Sequence, residues 1–417
     1  MSTSDLSRAQ MMSRGAAATA IIDDIHAPSA TVITPSVLFV DQSGQLGGAE
    51  FSMLPLAVAW VARREVLLLS DGPFRSRLES QGVKVHLTLD HGVSRIRKEG
   101  VRLGWLGTLP GIVRQVRAIA RQAEDFDVLF LNTQKALVLG ALGKPLHRKP
   151  IIWHLHDIMS REHFGVMQRL MVKWLTRYAV DGIIANSHAS AASLVALTDC
   201  RPEAVPVVHN GVDVREFSSV DADDIGTLRR RLGLPEGVYL AGLFGRLAPW
   251  KGQHIALEAL ARMPDVHLVL VGSALFGEQR YAESLHRQAA RLGVADRVHF
   301  AGFRDDMPAW MKAVDVILHT STEAEPFGRV IIEGMAAGRP VIAAAAGGVV
   351  EIVRHRKNGW LVEPGMPALL AEAIETLRAA PELAQRIADQ ALNDVMQYFS
   401  LDGYLAQMKR AMVAVTG

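Results

Sequence analysis

Glu325 and Glu333 stand eight residues apart, on either side of the run Pro326-Phe327-Gly328-Arg329. A strand pattern ends at Thr320, a short polar loop follows, and a helical apolar period starts at Arg329 and runs to Ala337. Pro326 suits a helix start because its φ is already fixed and its missing N–H is not needed there. The amides of Phe327, Gly328 and Arg329 are therefore expected to point out of the helix start, and Gly328 lets a ligand come close. Such a terminus carries about half a positive charge equivalent and suits sugar hydroxyls or phosphate oxygens. Glu325 falls in the loop at the carboxyl end of a strand, and Glu333 is placed about two turns into the helix. That separation excludes a close acid/base dyad, yet one extended ligand could touch both carboxylates. Gly347-Gly348 is expected to open a second helix over 349–353 and a second phosphate cradle.

Alternating β and α patterns must position these residues. Strand patterns fall at 37–41, 66–70, 83–89, 128–132, 151–156, 183–187 and 205–209 and, beyond the acidic stretch 218–224, at 239–245, 267–271, 298–303, 316–320, 341–345 and 360–362. Such continuously apolar strands are buried on both faces, which predicts an α/β protein of two doubly wound, Rossmann-like sheets across a cleft. The expected boundaries are a disordered tail over 1–30, a first domain over 31–215, a second over 216–395, and a segment 396–417 with no strand after it. In that last segment Leu405, Met408 and Met412 form one helical stripe, expected to pack back on the first domain.

With 49% hydrophobic and 21% charged residues in 417, the chain is neither fibrous nor disordered. A formal charge of +2 excludes wrapping by nucleic acid, and no nucleic-acid partner is expected. The charge is uneven, however: residues 31–215 carry +6 and 216–417 carry −3. Much of the excess lies in two stretches, 91–122 and 164–178, where Arg and Lys interleave with Leu, Ile, Met and Trp. That pattern suits an anionic membrane surface; it suits equally a pair of surface helices whose apolar stripes are core. Cys200 is the only cysteine and no apolar run approaches the ~18–20 residues of a membrane span, so a cytoplasmic place is expected, either free or peripheral at the membrane. Neither half has a Gly-x-Gly-x-x-Gly turn after its first strand, which argues against a dinucleotide-dependent oxidoreductase.

The run from Glu325 through Glu333 to Gly338-Arg339-Pro340-Val341-Ile342 resembles the E-x7-E signature of retaining glycosyltransferases of family 4, which have the GT-B fold. Supporting pieces occur in order: Gly47-Gly48-Ala49-Glu50, His154-Leu155-His156-Asp157, Ala185-Asn186-Ser187, His209-Asn210-Gly211-Val212-Asp213, Gly245-Arg246-Leu247 and Lys251-Gly252. The resemblance implies transfer of a sugar from a UDP- or GDP-sugar, with retention, to a lipid-linked or saccharide acceptor in cell-surface polysaccharide or glycolipid synthesis. The first domain would then be the acceptor side. A soluble relative, such as a sugar-nucleotide epimerase or a synthase acting on small acceptors, is the alternative. By similarity, Arg246 and Lys251 hold the diphosphate, Glu325 and His156 contact the donor sugar, and Glu333 holds the ribose hydroxyls. Phe303 and Arg304 seat the base, and Gly48 lets its loop approach the donor phosphates or the acceptor. The run 326–329 supplies helix-start amides, and Asn210 is either a ligand contact or part of a hinge turn. From residue 225 onward no Asp-x-Asp motif occurs, Asp305-Asp306 being the nearest sequence there, so neither metal nor cofactor is expected. Gly334, Val350 and Arg329 depart from the usual family pattern, Arg329 replacing a common aliphatic.

Overall fold

The structure, a computed structural model, describes residues 34–88, 109–220, 225–274 and 277–416. The expected tail over 1–30 lies outside the described residues. The chain forms two six-stranded sheets, ordered β3-β2-β1-β4-β5-β6 and β12-β11-β10-β7-β8-β9, with every adjacent pair parallel. The first contains β1 (Val37–Asp41), β2 (Arg64–Leu68), β3 (Lys84–Leu87), β4 (Val128–Leu131), β5 (Ile151–Leu155) and β6 (Gly182–Ala185). The second contains β7 (Tyr239–Phe244), β8 (Val266–Val271), β9 (Val298–Gly302), β10 (Val316–His319), β11 (Val341–Ala344) and β12 (Trp360–Val362). Counted from its own first strand, each sheet has the same order. The order in which strands are added therefore reverses between β1 and β4 in one and between β7 and β10 in the other, where open α/β sheets bind ligands.

The core explains why so many strands were legible. β1, β4, β5, β10 and β11 are buried along their whole length, with helices covering both faces of each sheet. The exception is 205–209, which is not a strand and forms a single parallel bridge, Ala185 with Val207. Pro206 has no N–H to extend a ladder; its carbonyl accepts from Ala185 N, and Val208 N returns to Ala185 O.

The chain passes between the two halves twice, and the passes lie side by side. Val212 N donates to Phe399 O, and Leu401 N donates to Val212 O. At this crossing a Cβ on Gly211 would meet Ser400 O and Tyr404 Cβ at 2.7 Å, so only glycine fits. The position 396 falls inside the helix Pro381–Tyr398, which packs against the helix Arg329–Ala336 of the second half. The following helix, Leu401–Thr416, returns to the first half, where Tyr404, Met408 and Met412 enter its core beside Met53, Leu56 and Ile184. Among the described residues, no helix is long and apolar enough to cross a membrane.

Candidate active site

In the second half, β7 is followed by Gly245-Arg246, β10 ends at His319, and the loop after β10 carries Glu325. Lys251 reaches across this gap and donates from Nζ to both oxygens of Glu325, at 2.7 and 2.8 Å. Ser321 Oγ adds a third bond at 2.9 Å. Burial would raise the Glu325 carboxyl, but the Lys251 charge and the bonds from His319 and Lys251 outweigh it and hold it well below the ordinary carboxylate range. Lys251 Nζ also sits 4.2 Å from the centre of the Trp250 ring, with the Arg246 guanidinium 5.9 Å from that ring. Burial lowers the Arg246 pKa, against the pull of Glu278, Glu325 and Glu50. Two cations and an ionised carboxylate thus stand at one strand-order reversal.

Gly328, at φ +97°, caps the helix Arg329–Ala336, and Glu333 falls in its second turn, nearer the start than expected. Phe327 is core: its ring stacks with His209 at 5.8 Å, leaving only its backbone for a ligand. Arg329 joins the halves. Its guanidinium bonds Glu333 Oε1 at 3.0 and 3.2 Å and Gly211 O at 3.3 Å, and it lies 5.8 Å from the Phe51 ring. Glu333 therefore carries a cation partner, Arg329. Gly48, the first residue of the helix Gly48–Ala59, faces Arg329 across the cleft, since a Cβ there would lie 4.0 Å from Arg329 Cδ.

The second expected helix start forms, but it is short and one of its amides is taken. The helix after Gly348 is only Val349–Ile352, and Gly348 N is spent on Glu325 O at 2.8 Å. Both glycines are needed for close packing: a Cβ on Gly347 would strike Glu325 O at 2.2 Å, and one on Gly348 would strike Pro326 O at 2.3 Å. They brace the 325–326 loop.

The first half answers with a hydrogen-bonded chain. Asn132, directly after β4, donates from Nδ2 to Asp41 Oδ2 at 2.6 Å and to Ala49 O at 3.1 Å. Its Oδ1 is then the acceptor for His156 Nε2 at 2.9 Å, which fixes the proton on Nε2 and leaves Nδ1 with the lone pair. Burial first, and the Arg329 charge second, push His156 down to about 3, so the ring is neutral. Beside it, burial raises Asp41 to about 6; burial and the Asp41 charge raise Glu50 to about 8. Glu50 Oε2 accepts from Gly47 N at 3.0 Å.

Two further contacts close the cleft. His163 Nε2 lies 2.9 Å from Glu323 Oε2. Glu351 of the second half accepts from His188 N and Ala189 N, both at 2.8 Å, at the start of the helix His188–Thr198, and from His209 Nε2 at 2.9 Å. His188, His209 and Glu351 are also spaced so that they could share a cation, but Glu351 already accepts from those amides and from His209.

The structure therefore brings together Arg246, Lys251, Glu325 and the 326–329 helix start, with His156, Gly48 and Arg329 from either side. Asn210 stands apart: it is buried and accepts from Ser52 Oγ at 2.7 Å, inside the network that ties Tyr404 to the first half. Phe303 and Arg304 follow β9 at the sheet edge, Phe303 exposed and Arg304 over the Trp310 ring. Asp41, Asn132, Ser321 and Glu351 enter these networks without a sequence motif that marks them. For Asp41 and Asn132 the available signal was a polar residue closing an apolar strand beside the reversal of strand order.

The two halves match two family descriptions: "Glycosyltransferase Family 4" over residues 46–216 and "Glycosyl transferases group 1" over 224–394. The structure superposes on Anabaena Alr3699/HepE, solved in complex with UDP and glucose, with TM-score 0.83 and 39% identity, covering 91% of this chain and 99% of that one. The chain belongs to glycosyltransferase family 4. This glycosyltransferase is also 35% identical over 317 residues to a D-inositol 3-phosphate glycosyltransferase of Streptomyces bingchenggensis, covering 72% of this chain and 66% of that protein. A Thermomonospora curvata protein of the same description is 33% identical over 319 residues, covering 72% and 73%. The glycosyltransferase has the GT-B fold that its pair of sheets describes.

Proposed function

We propose that this glycosyltransferase takes a sugar from a nucleoside diphosphate sugar, UDP- rather than GDP-linked, and passes it with retention to a lipid-linked or saccharide acceptor. The observation that carries this is the convergence of Arg246, Lys251 and the Arg329–Ala336 helix start on one strand-order reversal. A departing nucleoside diphosphate gains negative charge, and preset cations and amides are the groups that stabilise it. Lys251 keeps Glu325 ionised beside the sugar position, and neutral His156 offers Nδ1 as an acceptor for a sugar hydroxyl. These groups do the work of a cation, so no metal takes part. The Anabaena neighbour solved with UDP-glucose supports uridine as the base.

The reading places the enzyme in the cytoplasm and peripheral to its membrane, in cell-surface polysaccharide or glycolipid synthesis. Likeness to inositol phosphate glycosyltransferases favours a second reading, a small free acceptor. Thermal unfolding against a panel of nucleotide sugars, followed by product NMR, tests the first. A matching donor at 100 times its Kd stabilises by roughly 2.7 kcal/mol, and the product keeps the anomeric configuration with EDTA present. No shift with any UDP-sugar, or inversion, or abolition by EDTA, would refute it.

A further inference from the structure

The two basic stretches singled out in the sequence differ in what they bury. Residues 91–108 lie outside the described residues; the rest of the first stretch is the helix Leu109–Ala123. It turns Ile119, Ala120 and Ala123 into the core and Arg114, Arg117 and Arg121 outward, as an ordinary surface helix does. The helix Val166–Tyr178 has two apolar stripes. Val172 and Leu175 are buried in the sheet-facing core. Met167, Leu170, Met171, Trp174 and Tyr178, at i, i+3, i+4, i+7 and i+11, form a second stripe in which every side chain is 40–78% exposed. Packing onto the sheet explains the first stripe and leaves the second without a partner among the described residues.

Charge decides what covers it. Both helices lie in one layer over the first sheet, each against the helix Gln134–Leu142 and sharing one core cluster. Together they hold six cations and no acidic residue. Of these, Lys173 bonds Asp199 at 2.7 Å, and Arg177 lies 5.8 Å from the Tyr178 ring. We propose that this helix layer docks on an anionic lipid bilayer, the 166–178 helix seating its outer stripe at headgroup depth and the 109–123 helix supplying charge. A second copy of the chain fits worse, because two-fold pairing of the stripe sets Arg169, Lys173 and Arg177 against themselves. Trp and Tyr beside cations suit a lipid–water boundary. The inference rests on the lipid-linked acceptor reading and adds the surface that meets the lipid. The helix begins three residues after His163, which contacts Glu323 across the cleft, so docking sets the cleft mouth beside the headgroups.

Vesicle flotation of the full chain tests it, using phosphatidylcholine alone and phosphatidylcholine with about 40% phosphatidylglycerol. Wild type floats with the anionic vesicles and not with the neutral ones. Met167→Ser/Leu170→Ser/Trp174→Ser abolishes flotation, and Arg114→Ser/Arg117→Ser/Arg121→Ser lowers the partition coefficient roughly a hundredfold. Circular dichroism and UDP-glucose affinity in solution are unchanged in both, which separates a failure of docking from a failure of the transfer reading. Wild type left in the load fraction overturns the proposal. So does flotation that survives the apolar substitutions, or a wild-type dimer in sedimentation that those substitutions dissolve.

Discussion

The two strand-order reversals have the same topology and opposite electrostatics. At the second, a carboxylate is held ionised among cations: Lys251 bonds Glu325, and Arg246 lies beside the same indole. At the first, Glu50 and His156 are driven to their neutral forms, up to about 8 and down to about 3, beside an Asp41 raised only to about 6. Fold alone does not set this difference, because the sheets are ordered alike. It is set by partners. Glu325 has a cation within bonding distance, whereas Glu50 has a backbone amide and the charge of a second buried carboxyl, Asp41. The halves therefore divide the chemistry, one carrying charge for a polyanionic leaving group and the other offering neutral hydrogen bonds.

The division is broken most severely at Lys251. Lys251→Ala leaves Glu325 buried without its cation, which costs about 3 kcal/mol, the low end for a buried pair because the Lys251 side chain is 21% exposed. Turnover falls by about 10²–10³, the usual effect of removing one charge-stabilising group. Adding Glu325→Ala restores stability in urea unfolding but not turnover. A double variant as unstable as the single one would mean that the pair is not what keeps the loop in place.

Glu50 sharpens the other side. Its folded pKa lies above the ordinary carboxylate value of 4.5, so the protonated carboxyl stabilises the fold below that value, and this contribution is lost as pH rises through about 8. Wild-type stability should fall by a few kcal/mol between about pH 5 and pH 9. Glu50→Gln keeps an acceptor for Gly47 N and flattens the decline. Parallel melting curves for the two proteins across that range would remove the neutral-site argument.

What the sequence made legible follows from how local each signal is. Strands such as β1, β4, β5, β10 and β11 could be placed because each is a short apolar run buried along its whole length, a property of the run itself. Glu325, Gly328 and the helix start could be placed because they are contiguous. Partners could not. Lys251 is 74 residues from Glu325, and Glu351 meets the His188 amide across 163 residues. Gly347-Gly348 is ambiguous in sequence because glycine pairs serve both close ligand approach and close backbone packing, and only the fold shows Glu325 O in the space. The 205–209 segment has strand composition, yet Pro206 denies it a ladder. The two basic helices look alike in sequence and differ in whether their apolar residues find the core, which depends on rotation about the helix axis.

The smallest expected effect is also the one that isolates positioning from contact. Asn132 is fully buried and touches no open space, so any role it has in transfer runs through His156, whose Nε2 proton it accepts. Asn132→Ala removes that acceptor and the donor to Asp41 together, allowing the His156 ring to turn or to change tautomer. We expect kcat/KM to drop about tenfold, equivalent to about 1.4 kcal/mol of transition-state stabilisation. His156→Ala should cost more, since the contact itself is lost. Because the two residues act as one unit, the double variant should be no worse than His156→Ala alone. Additive losses would mean that Asn132 supports the fold through Asp41 and not the reacting sugar through His156.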